Sequence, residues 1–190
     1  MVLGIVAGFV GLVLLVIGTA YVVNVYNQLV NLDNRADQAK QNIDVLLKQR
    51  QDELGKLIDS AKEFMKQEQE VLTQLTAARE QAEQAQTPKE EAAADQQVQQ
   101  ALASFRARAE DYPELRSQEN MLQLQERISE VENRIADRRE VYNEAITQYN
   151  TRIEQFPYVL FARQFGYAER ELFEATAAEK QDVDVSEAFA

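Results

Sequence analysis

From Met1 to Val23 the chain carries no charged side chain, and the first charge appears only at Asp33. A helix needs about 20 residues to cross a hydrocarbon core of about 30 Å. The run therefore predicts a single membrane-spanning helix over residues 1–24. A cleaved signal peptide would place Lys or Arg ahead of a shorter apolar stretch. This run has neither feature and is read as a retained anchor in the lipid bilayer. Tyr21 and Tyr26 fall where aromatic rings mark a membrane interface.

Inside the span, Gly4, Gly8, Gly11 and Gly18 share one helical face. Small residues four apart let helix backbones approach closely in lipid, so these four glycines are the candidate membrane-helix packing site. The same three-four phase continues through Val22, Val25, Leu29, Leu32, Ala36, Ala39, Ile43 and Leu46. One helix is thus expected to leave the bilayer unbroken and to run on to about Ala85. Arg50 and Glu53 fall in the original phase, and the apolar stripe is read as shifting by one residue there.

Thr87-Pro88-Lys89-Glu90 predicts a helix start, with Thr87 as N-cap and Glu90 completing a capping box. Val98, Leu102, Phe105, Ala109 and Tyr112 share a face of that second helix, which is expected to end at Tyr112-Pro113. After a turn around residues 113–117, the stripe Met121, Leu124, Ile128, Val131, Ile135, Tyr142, Ala145, Tyr149 and Phe156 predicts a third helix, interrupted at Arg138 and closed by Pro157. Tyr142 and Tyr149 are read as core residues with their hydroxyls at its edge. A short fourth helix is expected over Val159–Gln164 or slightly more, broken at Gly166. The aromatic stretch around it is read as a cap on the core. Its other reading is an exposed interaction surface at Phe161, Phe165 and Tyr167.

The predicted fold is all-α, an N-terminal transmembrane helix continuing into an elongated antiparallel four-helix bundle over residues 25–173. An acidic, flexible tail is expected over residues 174–190. The long first helix overruns the second and third, which with the glycine face predicts a homo-oligomer.

Composition narrows the chemistry. Thirty-two acidic against 20 basic residues give a net charge of −12, which repels phosphates and argues against a nucleic-acid partner. The chain has no histidine and no cysteine, and outside the span only Gly55 and Gly166. Histidine- or thiolate-based catalysis and phosphate-cradling loops cannot be built from this inventory. Glu130, Glu132 and Asp137 alternate with Arg127, Arg134 and Arg138 and are read as a solvated, salt-bridged face. No catalytic residue, cofactor or metal ligand is predicted, and the chain is not expected to be an enzyme. Arg35 and Lys40 lie closest behind the span, so the positive-inside rule points to a cytoplasmic body.

Several ordered blocks carry a family resemblance: Tyr26-Asn27-Gln28-Leu29-Val30 behind the span, Asn42 to Arg50, Tyr112-Pro113-Glu114-Leu115, Glu119 to Gln125, Glu132-Asn133-Arg134-Ile135, Tyr142-Asn143 and Phe156-Pro157. The sequence resembles the LemA family over nearly its whole length. That resemblance implies a prokaryotic membrane protein with a four-helix-bundle body and no established enzymatic activity. It also casts Asn120 and Asn133 as hydrogen bonders that join helices. The expected function is a membrane-anchored scaffold that self-associates through its membrane helix and long first helix. The alternative is a non-catalytic adaptor that binds a membrane protease or another envelope protein.

Overall fold

The computed structural model describes residues 2–116 and 118–173, so the tail expected over 174–190 lies outside the described residues. Among these residues there are six helices and no strand: α1 (Val2–Lys62), α2 (Gln69–Gln84), α3 (Pro88–Ala109), α4 (Pro113–Arg116), α5 (Glu119–Glu154) and α6 (Tyr158–Phe165). The all-α class and the unbroken helix leading out of the apolar run are both as the pattern implied. The chain divides into two compact units, Met1–Lys40 with Glu144–Arg170, and Gln41–Asn143 with the segment from Glu171 onward.

In the second unit the sequence reading needs correction. The first helix does not run to Ala85. It stops at Lys62, and the chain turns through residues 63–68 into α2. No Gly or Pro announces this turn. Its cause is tertiary: Met65 is fully buried at the turn, in one core cluster with Leu54, Leu57 and Ala61 of α1 and with Leu75 of α2. Covering an apolar stripe outweighs the weak preference of Glu63, Lys66 and Gln67 to stay helical. Glu68, just ahead of α2, is secured by the Tyr112 hydroxyl at 3.2 Å and by Arg108 at 3.3 Å. With α2 folded back, the length mismatch that argued for a homo-oligomer no longer holds in that form. The expectation now rests on the membrane helix alone.

Helix α3 begins where the sequence placed it. Thr87 Oγ1 accepts from the Glu90 N–H at 3.2 Å, and the Glu90 carboxylate accepts from the Thr87 N–H, completing the capping box. The helix ends at Ala109, slightly before Tyr112, and Pro113 opens the single turn α4. Val98, Leu102, Phe105 and Ala109 enter the core with Leu115, Met121, Leu124 and Ile128. The Arg79 guanidinium packs over Gly55 of α1, at an ordinary contact distance of 3.7 Å from where a Cβ would stand, and Arg79 Nε donates to the Gln51 carbonyl at 3.0 Å.

In the first unit, Val25 and Leu29 of α1, Tyr149 and Ile153 of α5 and Ala162 of α6 form a small core, flanked by half-buried Leu32, Tyr158, Phe161 and Tyr167. Helix α6 stops at Gly166, whose φ of 77° is left-handed backbone that a side chain disfavours. Phe156, assigned to the core stripe by its spacing, is 81% exposed. Ile146 and Ile153 are buried in α5 instead.

Phe105 is fully buried. Phe105→Ala is expected to cost about 3–5 kcal/mol, read as a lower denaturation midpoint for the full chain in detergent micelles.

Candidate functional site

The apolar N-terminal segment of α1, long and apolar enough to span a membrane, is covered by none of the described chain. Residues 5–24 are exposed throughout, the helix reaches a mean hydropathy of 2.5, and the first buried side chain is Val25. A Cβ built on Gly8, Gly11 or Gly18 would meet nothing within 4 Å. Gly4 lies in α1, and its surroundings fall outside the described residues. The Thr19 hydroxyl donates to the Leu15 carbonyl at 2.9 Å, so this aliphatic hydroxyl in the apolar run is satisfied within its own helix.

The aromatic segment divides between its two readings. Phe161 and Tyr167 are half-buried against the first unit's core, and the Tyr167 ring meets Tyr149 edge-on at 6.4 Å. Phe165 is 49% exposed and packs edge-on against Tyr26, with ring centroids 5.2 Å apart. Phe161 and Tyr167 are therefore mainly cap residues, and of the three expected interaction residues Phe165 alone presents a largely open ring.

The extended stretch after α6 is held to α5 by a repeated pair of side chains that the sequence reading did not identify. In the first unit, the Tyr149 hydroxyl donates to the Ala168 carbonyl at 3.1 Å. The Asn150 amide donates to the Arg170 carbonyl at 2.9 Å and accepts from the Arg170 N–H at 3.0 Å. In the second unit, Tyr142 donates to the Glu171 carbonyl at 2.9 Å, while Asn143 pairs with both backbone groups of Phe173 at 3.0 and 2.8 Å. Seven residues of helix rise about 10.5 Å, and three extended residues span about 10 Å. The second pair thus meets the same backbone pattern three residues further on.

The Tyr-Asn dipeptide repeated at a heptad interval was the available signal. Tyr142 and Tyr149 are core residues with their hydroxyls at its edge, as their spacing suggested. Asn120 and Asn133, which the resemblance cast as helix joiners, are exposed, and Asn143 and Asn150 make the joining bonds instead. Arg170 completes the first unit's arrangement, with its guanidinium 2.6 Å from both Asp33 and Asp37 of α1 and 5.3 Å from the Tyr149 ring centroid. Burial works against the Arg170 charge, but the hydrogen bond to Asp37 and the charge of Asp33 outweigh it and raise the pKa of this guanidinium.

The second unit contains a buried ionic cluster. Arg50 of α1, 2% exposed, pairs with Asp95 of α3, also 2% exposed, and Arg139 of α5 reaches the other Asp95 oxygen at 2.9 Å. Arg50 and Glu53 stay buried in the original stripe phase, Arg50 by its ion pair and Glu53 beside Lys56 at 2.8 Å. The apolar stripe moves on by one residue beyond them, to the buried Leu54, Ile58, Ala61 and Met65, as its spacing suggested. Arg139, next to the expected interruption at exposed Arg138, lies 5.0 Å from the Phe173 ring centroid, and Phe173 in turn packs edge-on against Tyr142. Burial alone would raise the Asp95 carboxyl, but the charges of Arg50 and Arg139 hold it below the usual carboxylate range.

Glu132 corrects the solvated-face reading. Its side chain is only 19% exposed, 3.8 Å from Arg106, and burial pushes its carboxyl up against the charges of Arg106 and Arg50. Glu130 and Asp137 are exposed as expected. Among the described residues, no group of three or more Asp and Glu side chains is placed to hold a metal ion.

The LemA family model matches residues 39–186. The chain belongs to the LemA family. Magnetosome proteins MamQ 1 and MamQ 2 of Paramagnetospirillum magneticum (strain AMB-1) are each 35% identical to it over 78 residues. These stretches make up 41% of this chain and 29% of each relative, so the chain spans well under half the length of the curated relatives it matches.

Asp95→Asn is expected to destabilise the full chain in micelles by about 3–5 kcal/mol, because it leaves two guanidinium groups without a counter-charge. The pH dependence has a definite sign. With its folded pKa depressed, Asp95 contributes stability that is fully present above the ordinary Asp value of about 3.9 and is lost as pH falls through the folded value. Denaturation midpoints across acid pH should show this loss in the parent and lack it in Asp95→Asn. Asn150→Ala removes both bonds to Arg170 and should cost about 1–3 kcal/mol, read as faster amide hydrogen exchange at Arg170.

Proposed function

We propose that the protein is a membrane-anchored, non-catalytic scaffold that self-associates through its membrane helix. The observation that carries this reading is the open glycine face: Gly8, Gly11 and Gly18 have room beside them that no described part of the chain fills. Lipid gives no hydrophobic drive for helix association, so close backbone packing at small residues is the available attraction. A sequence without histidine or cysteine supports a role outside the common catalytic mechanisms. The body sits on the cytoplasmic side, as Arg35 and Lys40 behind the span favour. That the matched relatives are named as magnetosome proteins lends support to a part in a cellular assembly.

Particle mass of the protein extracted gently from its membrane, with co-purifying chains identified by mass spectrometry, tests this function. A large particle of this chain alone that falls to a single copy in Gly8→Leu/Gly11→Leu is the expected result. An unchanged mass in the double variant would sink the glycine face as the contact. A small particle holding a second protein in fixed ratio would establish the adaptor function in its place.

A further inference from the structure

The first unit carries an apolar surface directly behind the span. Phe156 is 81% exposed, Leu160 60% and Phe165 49%, with Tyr21, Val22, Val23 and Tyr26 of α1 exposed nearby in sequence. Both ends of α6 are tied to α1 close behind Val23. The Tyr158 hydroxyl donates to Gln28 Oε1 at 2.5 Å, and the Phe165 ring meets Tyr26 at 5.2 Å. At 1.5 Å per residue these two anchor points lie only about 3 Å apart along α1, whereas α6 itself is about 12 Å long. Both ends of α6 are therefore held beside the stretch of α1 that lies about 4–8 Å beyond Val23 along its axis. Arg163 on the same short helix is exposed, and Arg152 covers the Tyr158 ring at 4.8 Å. Exposed apolar side chains with a neighbouring arginine, on a short helix tied to α1 directly behind a membrane span, match the pattern of an interfacial helix.

We infer that α6 and the Phe156-Pro157 corner dock on the bilayer itself, with Phe156 and Leu160 inserted among the lipid headgroups and upper acyl chains and Arg163 facing phosphate. The occupant follows from continuity: this surface begins where the span leaves the hydrocarbon, so lipid is the first thing it meets. The inference rests on the membrane-anchor reading given above.

The chain has no tryptophan, so one introduced indole is an unambiguous reporter. Phe156→Trp and Leu160→Trp replace exposed side chains, and Leu122→Trp, at a 56% exposed position of α5 in the other unit, serves as the reference. Each full-length variant is reconstituted into phosphatidylcholine vesicles, floated on a density gradient, and then probed with aqueous acrylamide and with phosphatidylcholine brominated high on its acyl chain. The expected result is that indoles at 156 and 160 lose emission to the bromolipid and resist acrylamide, as placement about 5–10 Å into the interface requires. The indole at 122 should behave oppositely. Flotation with acrylamide-sensitive indoles at 156 and 160 overturns this inference alone. Shielding from both quenchers also overturns it, because protein would then be the cover. Failure to float removes the anchor and the inference together.

Discussion

The carboxylate of Asp95 is the point on which the second unit depends, because one buried negative charge is answered by guanidinium groups from two other helices. Such an arrangement is a poor source of net stability, since the desolvation of three charges offsets most of their attraction. Its effect is on register. Along α1, Arg50 lies between the buried Leu46 and Leu54. A slip by one turn, about 5.4 Å, would set a leucine against the carboxylate and strand it. The apolar contacts on either side would tolerate that slip far better than the charge would, so the ions select one alignment among many of similar hydrophobic content.

A different device fixes the end of the described chain. The backbone from Ala168 to Phe173 forms no regular secondary structure, and its polar groups need partners wherever they leave water. Tyr-Asn pairs supply them, the phenol giving one donor and the amide both a donor and an acceptor. Asparagine suits the second place because its side-chain amide has the same two groups as a peptide bond. This part of the fold is thus specified by hydrogen-bond complementarity, with apolar burial of Phe173 beside it.

Much of the architecture was legible in the sequence wherever a local rule sufficed. The uncharged run, the Thr87–Glu90 capping box and the Gly166 break each follow from residues close in sequence, and each stands where the local chemistry put it. What could not be read were features decided by distant residues. The turn at 63–68 contains only helix-tolerant residues and forms because Met65 and the α1 stripe find cover on α2. Arg50 and Asp95 look like surface charges until a partner 45 positions away is known. The apolar period alone assigned Phe156 to the core, yet the chain turns at Pro157 before that position finds a neighbour. Of the candidate site, the glycine positions were visible from spacing, whereas the exposed set at Phe156 and Leu160 depended on how α6 lies against α1.

Helix α1 runs from its apolar, membrane-length segment into the first unit's core with no proline and no glycine between Gly18 and Lys40. A span joined to its body by a flexible linker can tilt to suit its bilayer without consequence beyond the surface. Here nothing decouples the two. Spans respond to a thinner or thicker bilayer by changing tilt, and in this chain any such change must rotate the first unit by the same angle. Under the membrane-anchor proposal, bilayer thickness thereby becomes a mechanical input, expressed as the orientation of the surface next to the span.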